Sequence, residues 1–405
     1  MSEAQLIKPD LGYVKEVIAA GGESLKKCYQ CATCTVVCDV TADAQPFPRK
    51  EMVWAQWGLK ERLINDADVW LCHQCADCTA KCPRDAKPGE VLGAIRRTAY
   101  RAHAVPAFMG TLFANTAYLP VVFLIPIVVL AAMVLINQAP AVHLGMLGEL
   151  FGGEGFIPAG GIRFSKMLPI MSGVDATFLT LAVLAVLSAF TSLSRFWKSL
   201  EAQVPASVPR KGFGPSAVEF VQELISHASF RKCQVNAGRT TAHLLVFWGF
   251  VGAFVTTNIV LVYEWVFTKF LKMEHFETPL SVHTPQGLIV KLIGNAAGVA
   301  IVLGVCLMIV NRLKNEKDSP ANAYDWAFLF SILLVGATGV GAELLRKTGE
   351  ASLAYPMYFV HLVFVFYVIA YLPYSKLAHL LYRPIAIIHA KNVGRDTAAP
   401  AAKAA

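Results

Sequence analysis

The sequence predicts an all-α protein in which a small helical, cysteine-rich domain precedes a bundle of six transmembrane helices. Three observations support this prediction. Eight of the ten cysteines lie between positions 28 and 82, the segments Leu11–Ala20 and Arg49–Asn65 have helical rather than alternating periodicity, and long apolar stretches fill the rest of the chain. A composition of 55% hydrophobic and 16% charged residues is too apolar for an ordinary soluble protein of 405 residues.

The eight clustered cysteines form two matching runs of the pattern C-x2-C-x2-C-x3-C. This is the ligand pattern of two [4Fe–4S] clusters, in which three closely spaced cysteines wrap one cluster and the fourth reaches the other. We therefore assign two interleaved ligand sets, Cys28, Cys31, Cys34 and Cys82 for one cluster and Cys72, Cys75, Cys78 and Cys38 for the other. Zinc is the alternative, but zinc sites use two pairs of ligands rather than two tetrads in the same register.

The apolar stretches each have the twenty-odd residues needed to cross a bilayer. Their predicted positions are 112–136, 174–197, 241–267, 288–310, 324–345 and 354–381. The segment Glu90–His103, which precedes the first of them, reads as a basic amphipathic connector along the membrane surface.

Orientation follows from the distribution of Lys and Arg. The connections after the even-numbered spans carry 15 of these residues and those after the odd-numbered spans carry 6, which predicts a cytoplasmic-membrane protein with both termini in the cytoplasm. The net charge of +8 then indicates attraction to anionic lipid rather than to nucleic acid. The predicted domains are a cytoplasmic cluster domain, 1–104, a transmembrane domain, 105–390, and a flexible tail, 391–405.

Histidines in the apolar half are candidate haem ligands, because ionisable residues inside a membrane are costly and usually functional. On the last predicted span His361 and His379 are eighteen residues apart, which is five turns and about 27 Å at 1.5 Å per residue. His243 begins the third span at the level of His379, and such a pair suits axial ligation of haem b. Gly249 and Gly252 are expected to let a porphyrin approach; the alternative is that these histidines merely reach the membrane surface.

The outer end of the bundle offers weaker candidates. His361 lacks a histidine partner at the same depth on the third span, and His283 in the following loop is the candidate second ligand. Lys291, four residues into an apolar stretch, either extends to the outer surface or donates a hydrogen bond to a quinone carbonyl.

The cysteine runs and the predicted spans resemble those of known families. The tandem cysteine runs resemble the C subunit of heterodisulfide reductases, and the spans resemble the γ-subunit family of respiratory nitrate reductases, which are dihaem cytochromes b. In that cytochrome family, histidines eighteen residues apart on the final helix, here His361 and His379, bind two haems. Ala253 stands where a second histidine usually follows His243, and Lys291 approximately matches a quinone-site lysine.

The fusion of both halves resembles the membrane subunit of quinone-interacting membrane-bound oxidoreductases. The resemblance implies two partner proteins, the flavin and iron–sulfur A and B subunits, and electron exchange with adenylylsulfate reductase in sulfur metabolism. We therefore expect an oxidoreductase subunit that passes electrons between a quinone, expected to be menaquinone, and a cytoplasmic flavoprotein through haem b and two [4Fe–4S] clusters. The sequence has no GxGxxG or P-loop pattern, so flavin is expected in the partners.

Three rival interpretations remain. A sulfite-reduction-associated or heterodisulfide reductase-type membrane complex has the same build and differs in its partners. A non-redox membrane anchor predicts no haem and no response to quinone. A zinc-stabilised adaptor predicts zinc in place of iron.

Overall fold

The computed structural model describes residues 8–42, 45–138, 162–227, 232, 238–272, 284–317 and 322–395. Within these ranges the protein is almost entirely helical, and the β structure is limited to an isolated bridge between Ala42 and Gln45. The all-α prediction is confirmed.

The cysteine-rich domain is built from short helices. They are α1 (Leu11–Ala19), α2 (Thr33–Val36), α3 (Arg49–Gln56), α4 (Lys60–Ile64), α5 (Asp68–Leu71), α6 (Asp77–Ala80) and α7 (Pro88–His103). The last of these occupies the centre of the domain, because Val91, Ile95 and Ala99, spaced four residues apart on one face, are fully buried. The prediction that Glu90–His103 lies along the membrane surface is therefore wrong.

The remaining helices form the membrane half of the chain. They are α8 (Ala107–Ala114), α9 (Leu119–Gln138), α10 (Phe164–Met167), α11 (Ala176–Glu201), α12 (Phe213–Ser226), α13 (Gly238–Val262), α14 (Pro285–Lys314), α15 (Ala323–Thr348), α16 (Ala351–Ala370) and α17 (His379–Asn392). Short π-helical segments extend the start of α11 and the end of α13, at Ile170–Asp175 and Tyr263–Phe270.

Six of these helices, α9, α11, α13, α14, α15 and α16, are long and apolar enough to cross a membrane. Large apolar side chains such as Phe190 on α11 and Phe254 on α13 are 70% exposed, as expected of surfaces that face lipid. The six predicted spans are thus present, with ends that differ by a few residues except in the last.

The last predicted span, 354–381, is two helices rather than one. Helix α16 ends at Ala370, the chain turns through Leu372 and Pro373, and α17 begins at His379. The residue before a proline disfavours helical geometry, which explains the break inside an apolar stretch. His361 and His379 therefore do not share one helix face, as the prediction of a continuous span required.

Helix α17 joins the membrane half to the cluster domain. Its Tyr382 and Ala386 belong to the same buried apolar core as Trp70 of α5 and Phe196 of α11. Beyond its end, Arg395 forms an ion pair with Asp68. The described end of the chain therefore lies at the cluster domain, and residues 391–395, predicted to begin a flexible tail, are packed here.

The glycines expected to admit a porphyrin serve a different purpose. A Cβ atom on Gly249 would lie 2.7 Å from Cγ1 of Ile301, and one on Gly252 would lie 3.1 Å from Cβ of Ala297. Both glycines of α13 therefore allow close packing against α14, and their expected role beside a cofactor is wrong.

Candidate functional site

The two cysteine runs adopt the same backbone conformation. Gln30 and Ala32 in the first run have positive φ angles, and Gln74 and Ala76 at the equivalent positions of the second run do as well. Left-handed conformations are uncommon outside glycine and carry an energetic cost. Their recurrence shows that the two runs form the same loop, as their identical cysteine spacing predicts.

The structure groups the cysteines as the interleaved assignment requires. Cys82 of the second run lines one small cavity together with the first three cysteines of the first run, Cys28, Cys31 and Cys34. In the other group Cys38 of the first run lies beside Cys72 and Cys75, and Cys78 completes the group. The ligand assignment itself remains a proposal.

Most of the buried and half-buried thiols are in an environment that disfavours thiolates without a compensating cation, whereas hydrogen bonds lower the pKa of the exposed Cys31. Burial and neighbouring cysteines raise the pKa of Cys34 to about 11 and that of Cys38 to about 12. Four thiolates at such a site need the positive charge of metal ions, so the donor set fits an iron–sulfur cluster. Nearby amides donate hydrogen bonds to sulfur, including Gln30 Nε2 to Cys28 Sγ at 3.4 Å and Gln74 N to Cys72 Sγ at 3.3 Å.

The two groups differ in exposure. The first group contains one exposed cysteine, Cys31, and one buried cysteine, Cys34, whereas the second contains two buried cysteines, Cys72 and Cys78, and no exposed one. The first group therefore lies at the protein surface and the second lies deeper, toward the membrane half.

A cavity of about 1500 Å³ connects the second cysteine run with the membrane half. Ligand pockets are typically about 300–1,000 Å³, so this cavity has room for more than one ligand of that class. Its lining includes His73 and Gln74 of the second run, then His243 and His379, and finally His361. Three of the four histidines predicted as haem ligands are thus brought to one cavity despite the break before α17.

Two of these histidines are oriented by hydrogen bonds to backbone carbonyl oxygens. Nδ1 of His361 lies 3.1 Å from the carbonyl oxygen of Val335, and Nδ1 of His379 lies 2.7 Å from that of Lys376. A histidine whose Nδ1–H is held by a carbonyl presents Nε2 as the ligand atom, which is the usual arrangement at metal sites. Gly339 provides the space for the His361 ring, since a Cβ atom there would lie 2.9 Å from Cε1 of that ring.

His243 on α13 lies close to His379. The ring of His227 is also near, with its centroid 6.1 Å from that of His243, but His227 does not line the cavity. Two arginines, Arg239 and Arg383, line the same end of the cavity. The sequence prediction missed all three of these neighbours.

The end of the cavity farther from the cysteine runs, which the predicted topology places on the outer side, carries polar groups that the sequence prediction also missed. Asp175, at the start of α11, accepts a hydrogen bond of 2.9 Å from Nε1 of Trp265. Tyr358 lies one turn before His361 on α16 and close to Asp175. Both Asp175 and Tyr358 line the cavity, with Phe178 and Leu179 supplying an apolar wall beside them.

Lys291 lies outside this lining. Its Nζ atom is 2.8 Å from Oε1 of Glu343, so the lysine joins α14 to α15 through an ion pair. Neither residue is among the described residues that line the cavity. His283, the candidate second ligand of an outer haem, lies outside the described residues.

Comparison with known proteins first defines the class of the N-terminal domain. Residues 24–86, which contain both cysteine runs, match the 4Fe-4S dicluster domain family. This match supports two iron–sulfur clusters rather than zinc.

Particular relatives are components of oxidoreductases. The chain is 35% identical over 94 residues to the C subunit of the H(2):CoB-CoM heterodisulfide,ferredoxin reductase of Methanothermobacter marburgensis, covering 23% of this chain and 50% of that one. It is 41% identical over 96 residues to the C2 subunit of the H(2)/formate:CoB-CoM heterodisulfide,ferredoxin reductase of Methanococcus maripaludis. The aligned region covers 22% of this chain and 52% of that one. The chain thus spans about half the length of these relatives.

A further relative extends into the membrane half. The chain is 27% identical over 215 residues to the E subunit of the dihydromethanophenazine:CoB--CoM heterodisulfide reductase of Methanosarcina thermophila, covering 51% of this chain and 76% of that one. An alignment of this length cannot fit within the cluster domain and includes membrane helices. No solved structure matches the chain significantly. Together these similarities support an electron-transfer role for a membrane protein with iron–sulfur clusters.

Proposed function

We propose that this chain is the membrane subunit of a quinone-dependent oxidoreductase and carries electrons between a membrane quinone and a cytoplasmic redox partner. One observation carries the proposal: a single cavity runs from the second cysteine run past His243 and His379 to His361. In the first cysteine group Cys31 is exposed, so a redox partner has access to that group. The histidines and the two cysteine groups therefore lie in the order expected of an electron-transfer path from the membrane to the protein surface.

The cavity fits haem b at its inner end. His243 and His379 would hold the haem iron, because His379 is oriented with Nε2 available and His243 lies close to it. Haem b, when bound, supplies a one-electron couple. His361, held in the same way, would ligate a second haem toward the outer side. His283 remains the proposed partner of His361.

The outer end of the cavity suits a quinone headgroup. Tyr358 can donate a hydrogen bond to a carbonyl, while Asp175 can accept one from a quinol hydroxyl. Leu179 is 37% exposed on the lipid-facing surface, so an isoprenoid tail has an apolar route outward. The earlier candidate, Lys291, would first have to leave Glu343 to reach a quinone.

We further propose the finer identity that the sequence resemblance implies, the C subunit of a quinone-interacting membrane-bound oxidoreductase. Its partners would be the flavin and iron–sulfur A and B subunits, with adenylylsulfate reductase as the soluble redox partner. The excess of Lys and Arg in the connections after the even-numbered spans supports a location in the inner membrane, with the cluster domain on the cytoplasmic side. The quinone would be menaquinone.

A second candidate is a heterodisulfide reductase-type complex. Similarity to the E subunit of the dihydromethanophenazine:CoB--CoM heterodisulfide reductase favours it, since the two chains share a stretch that includes membrane helices. In such a complex the chain would still transfer electrons, but to other partners. Purification of the tagged chain from its native membrane, with identification of the bound subunits, separates the two candidates.

The decisive experiment is a reduced-minus-oxidised optical spectrum of the purified chain with iron, zinc and haem measured per polypeptide. We expect haem b together with eight non-haem irons, the content of two [4Fe–4S] clusters. Full cluster iron without haem would favour a membrane anchor, and zinc in place of iron would favour an adaptor. Either result would overturn the proposal.

A further inference from the structure

The two histidines at the inner end of the cavity are each accompanied by an arginine one helical turn away. Arg239 precedes His243 by four residues on α13, and Arg383 follows His379 by four residues on α17. Residues four apart lie on the same helix face. All four side chains line the cavity, so two different helices present the same His–Arg pair to one space.

These arginines lie between the histidines and the second cysteine run. Nη1 of Arg239 donates hydrogen bonds to the carbonyl oxygens of His73 at 3.1 Å and Gln74 at 2.7 Å. Arg383 lies close to Cys72 and to Arg239. The cationic groups therefore lie next to the second cysteine run and line the same cavity as the histidines.

Positive charge accumulates at this position, where Arg96, Arg239 and Arg383 all line the cavity. Arg96 also lines the cavity, and its guanidinium donates to the carbonyl oxygens of Val69 and Cys72 rather than to a carboxylate. The strongest charge acting on Arg383 is that of Arg96, while Cys72 and Glu223 act in the opposite sense. Like charges gathered in one enclosed space repel one another, so an anionic ligand would stabilise the site.

We infer that Arg239 and Arg383 bind the two carboxylates of a porphyrin whose iron is held by His243 and His379. The carboxylate edge of the porphyrin then points toward Cys72 and the second cluster. A guanidinium suits this role because its planar donors match a carboxylate with two parallel hydrogen bonds. The inference rests on the proposed function and adds the orientation of the ligand and the residues that set it.

A rival explanation is that the arginines only offset the negative charge of the four thiolates around Cys72. The two explanations differ in whether the ligand's carboxylates matter. Haemin and haemin dimethyl ester have the same iron and ring, and they differ in having free or esterified carboxylates. They are therefore matched probes of the site.

The test uses the full chain produced without haem, purified in detergent and titrated with either probe. We expect the wild type to bind haemin at least ten-fold more tightly than the dimethyl ester, since charge-assisted bonds are the stronger kind. Arg383→Gln and Arg239→Gln should lose this preference, and Arg383→Lys should keep part of it. Arg97→Gln is the control, because Arg97 lines the same cavity with its guanidinium 5.5 Å from the Tyr324 ring.

Electron paramagnetic resonance of the reduced clusters shows whether each variant is folded. Equal affinity of the wild type for the two probes would overturn the inference. Variants that alter the second cluster's signal while keeping the preference for haemin would establish the rival explanation. Failure of the wild type to bind either probe would remove the proposed function itself.

Discussion

The Trp70 ring is stacked on the Tyr382 ring, with the centroids 5.2 Å apart and the planes inclined by 15°. Trp70 stands two residues before Cys72, and Tyr382 stands three residues after His379. Both side chains are 1% exposed. This contact fixes the distance between the second cysteine run and the proposed haem ligand, so it bears on both stability and electron transfer.

Replacing Tyr382 with Ala should destabilise the junction of the two halves. Loss of a large buried aromatic side chain costs about 3–5 kcal/mol through lost burial and the cavity it leaves. We expect a lower thermal midpoint by circular dichroism and faster proteolytic release of the cluster domain. Trp57→Ala is the control, since Trp57 is 54% exposed and should change the midpoint little. Equal midpoints for the two variants would show that the junction does not depend on this contact.

The cysteine groups were predictable because their information is local. Spacing of two and three residues already fixes which cysteines share a loop, and the structure brings Cys82 to Cys28 as the pattern indicates. The membrane helices were predictable for a similar reason, since length and apolarity are properties of one segment. Their number needed no knowledge of tertiary packing.

Other features depend on packing and could not be read from one segment. Apolar residues continue past Ala370, which hid the break that Pro373 signals. Arg239 and Arg383 look like ordinary basic residues near membrane ends, and only the fold places both in one cavity. Lys291 stood out as a lone cation in an apolar stretch, whereas the fold supplies Glu343 as its partner.

Exchange of Cys82 for Ser should chiefly affect the cluster of the first cysteine run. Cys82 lines the cavity of Cys28, Cys31 and Cys34, so its loss removes the fourth ligand of that group. Cys38→Ser should instead affect the second group. Electron paramagnetic resonance at several potentials distinguishes the two clusters. The same cluster signal lost in both variants would contradict the interleaved arrangement.

Replacing His379 with Ala should abolish the inner haem while leaving the clusters detectable. The residue holds its ring through Lys376, and an alanine has no nitrogen to offer the iron. His227→Ala is a matched control, because His227 is near His243 but outside the cavity lining. Haem content per polypeptide is the measurement. Unchanged haem in His379→Ala, or equal loss in both variants, would refute the ligand assignment.

The buried carboxyls of the cluster domain should make its stability depend on pH. Burial raises the pKa of Glu51 well above its ordinary 4.5, and Lys50 opposes this only in part. Because the pKa of this carboxyl is higher in the folded state than in the unfolded state, its contribution to stability is fully present below the unfolded pKa. That contribution is lost as the pH rises through the folded pKa. Glu51→Gln should remove part of this loss, so its thermal midpoint should fall less than that of the wild type as the pH rises above 4.5. If the thermal midpoints of Glu51→Gln and the wild type change equally with pH, Glu51 does not cause the pH dependence.

The quinone site offers two alternatives that one experiment separates. Lys291→Ala breaks an ion pair with Glu343 but leaves the described cavity lining intact, whereas Asp175→Asn alters the outer end of the cavity directly. If the headgroup binds at Asp175, then Asp175→Asn should slow haem reduction by a menaquinol analogue ten-fold or more, because a carboxylate is a stronger acceptor than an amide. Lys291→Ala should then be near wild type, and dithionite should reduce the haem equally in both variants. If Lys291→Ala slows haem reduction and Asp175→Asn does not, the quinone binds at Lys291. The lysine would then donate a hydrogen bond to a quinone carbonyl in place of its ion pair with Glu343.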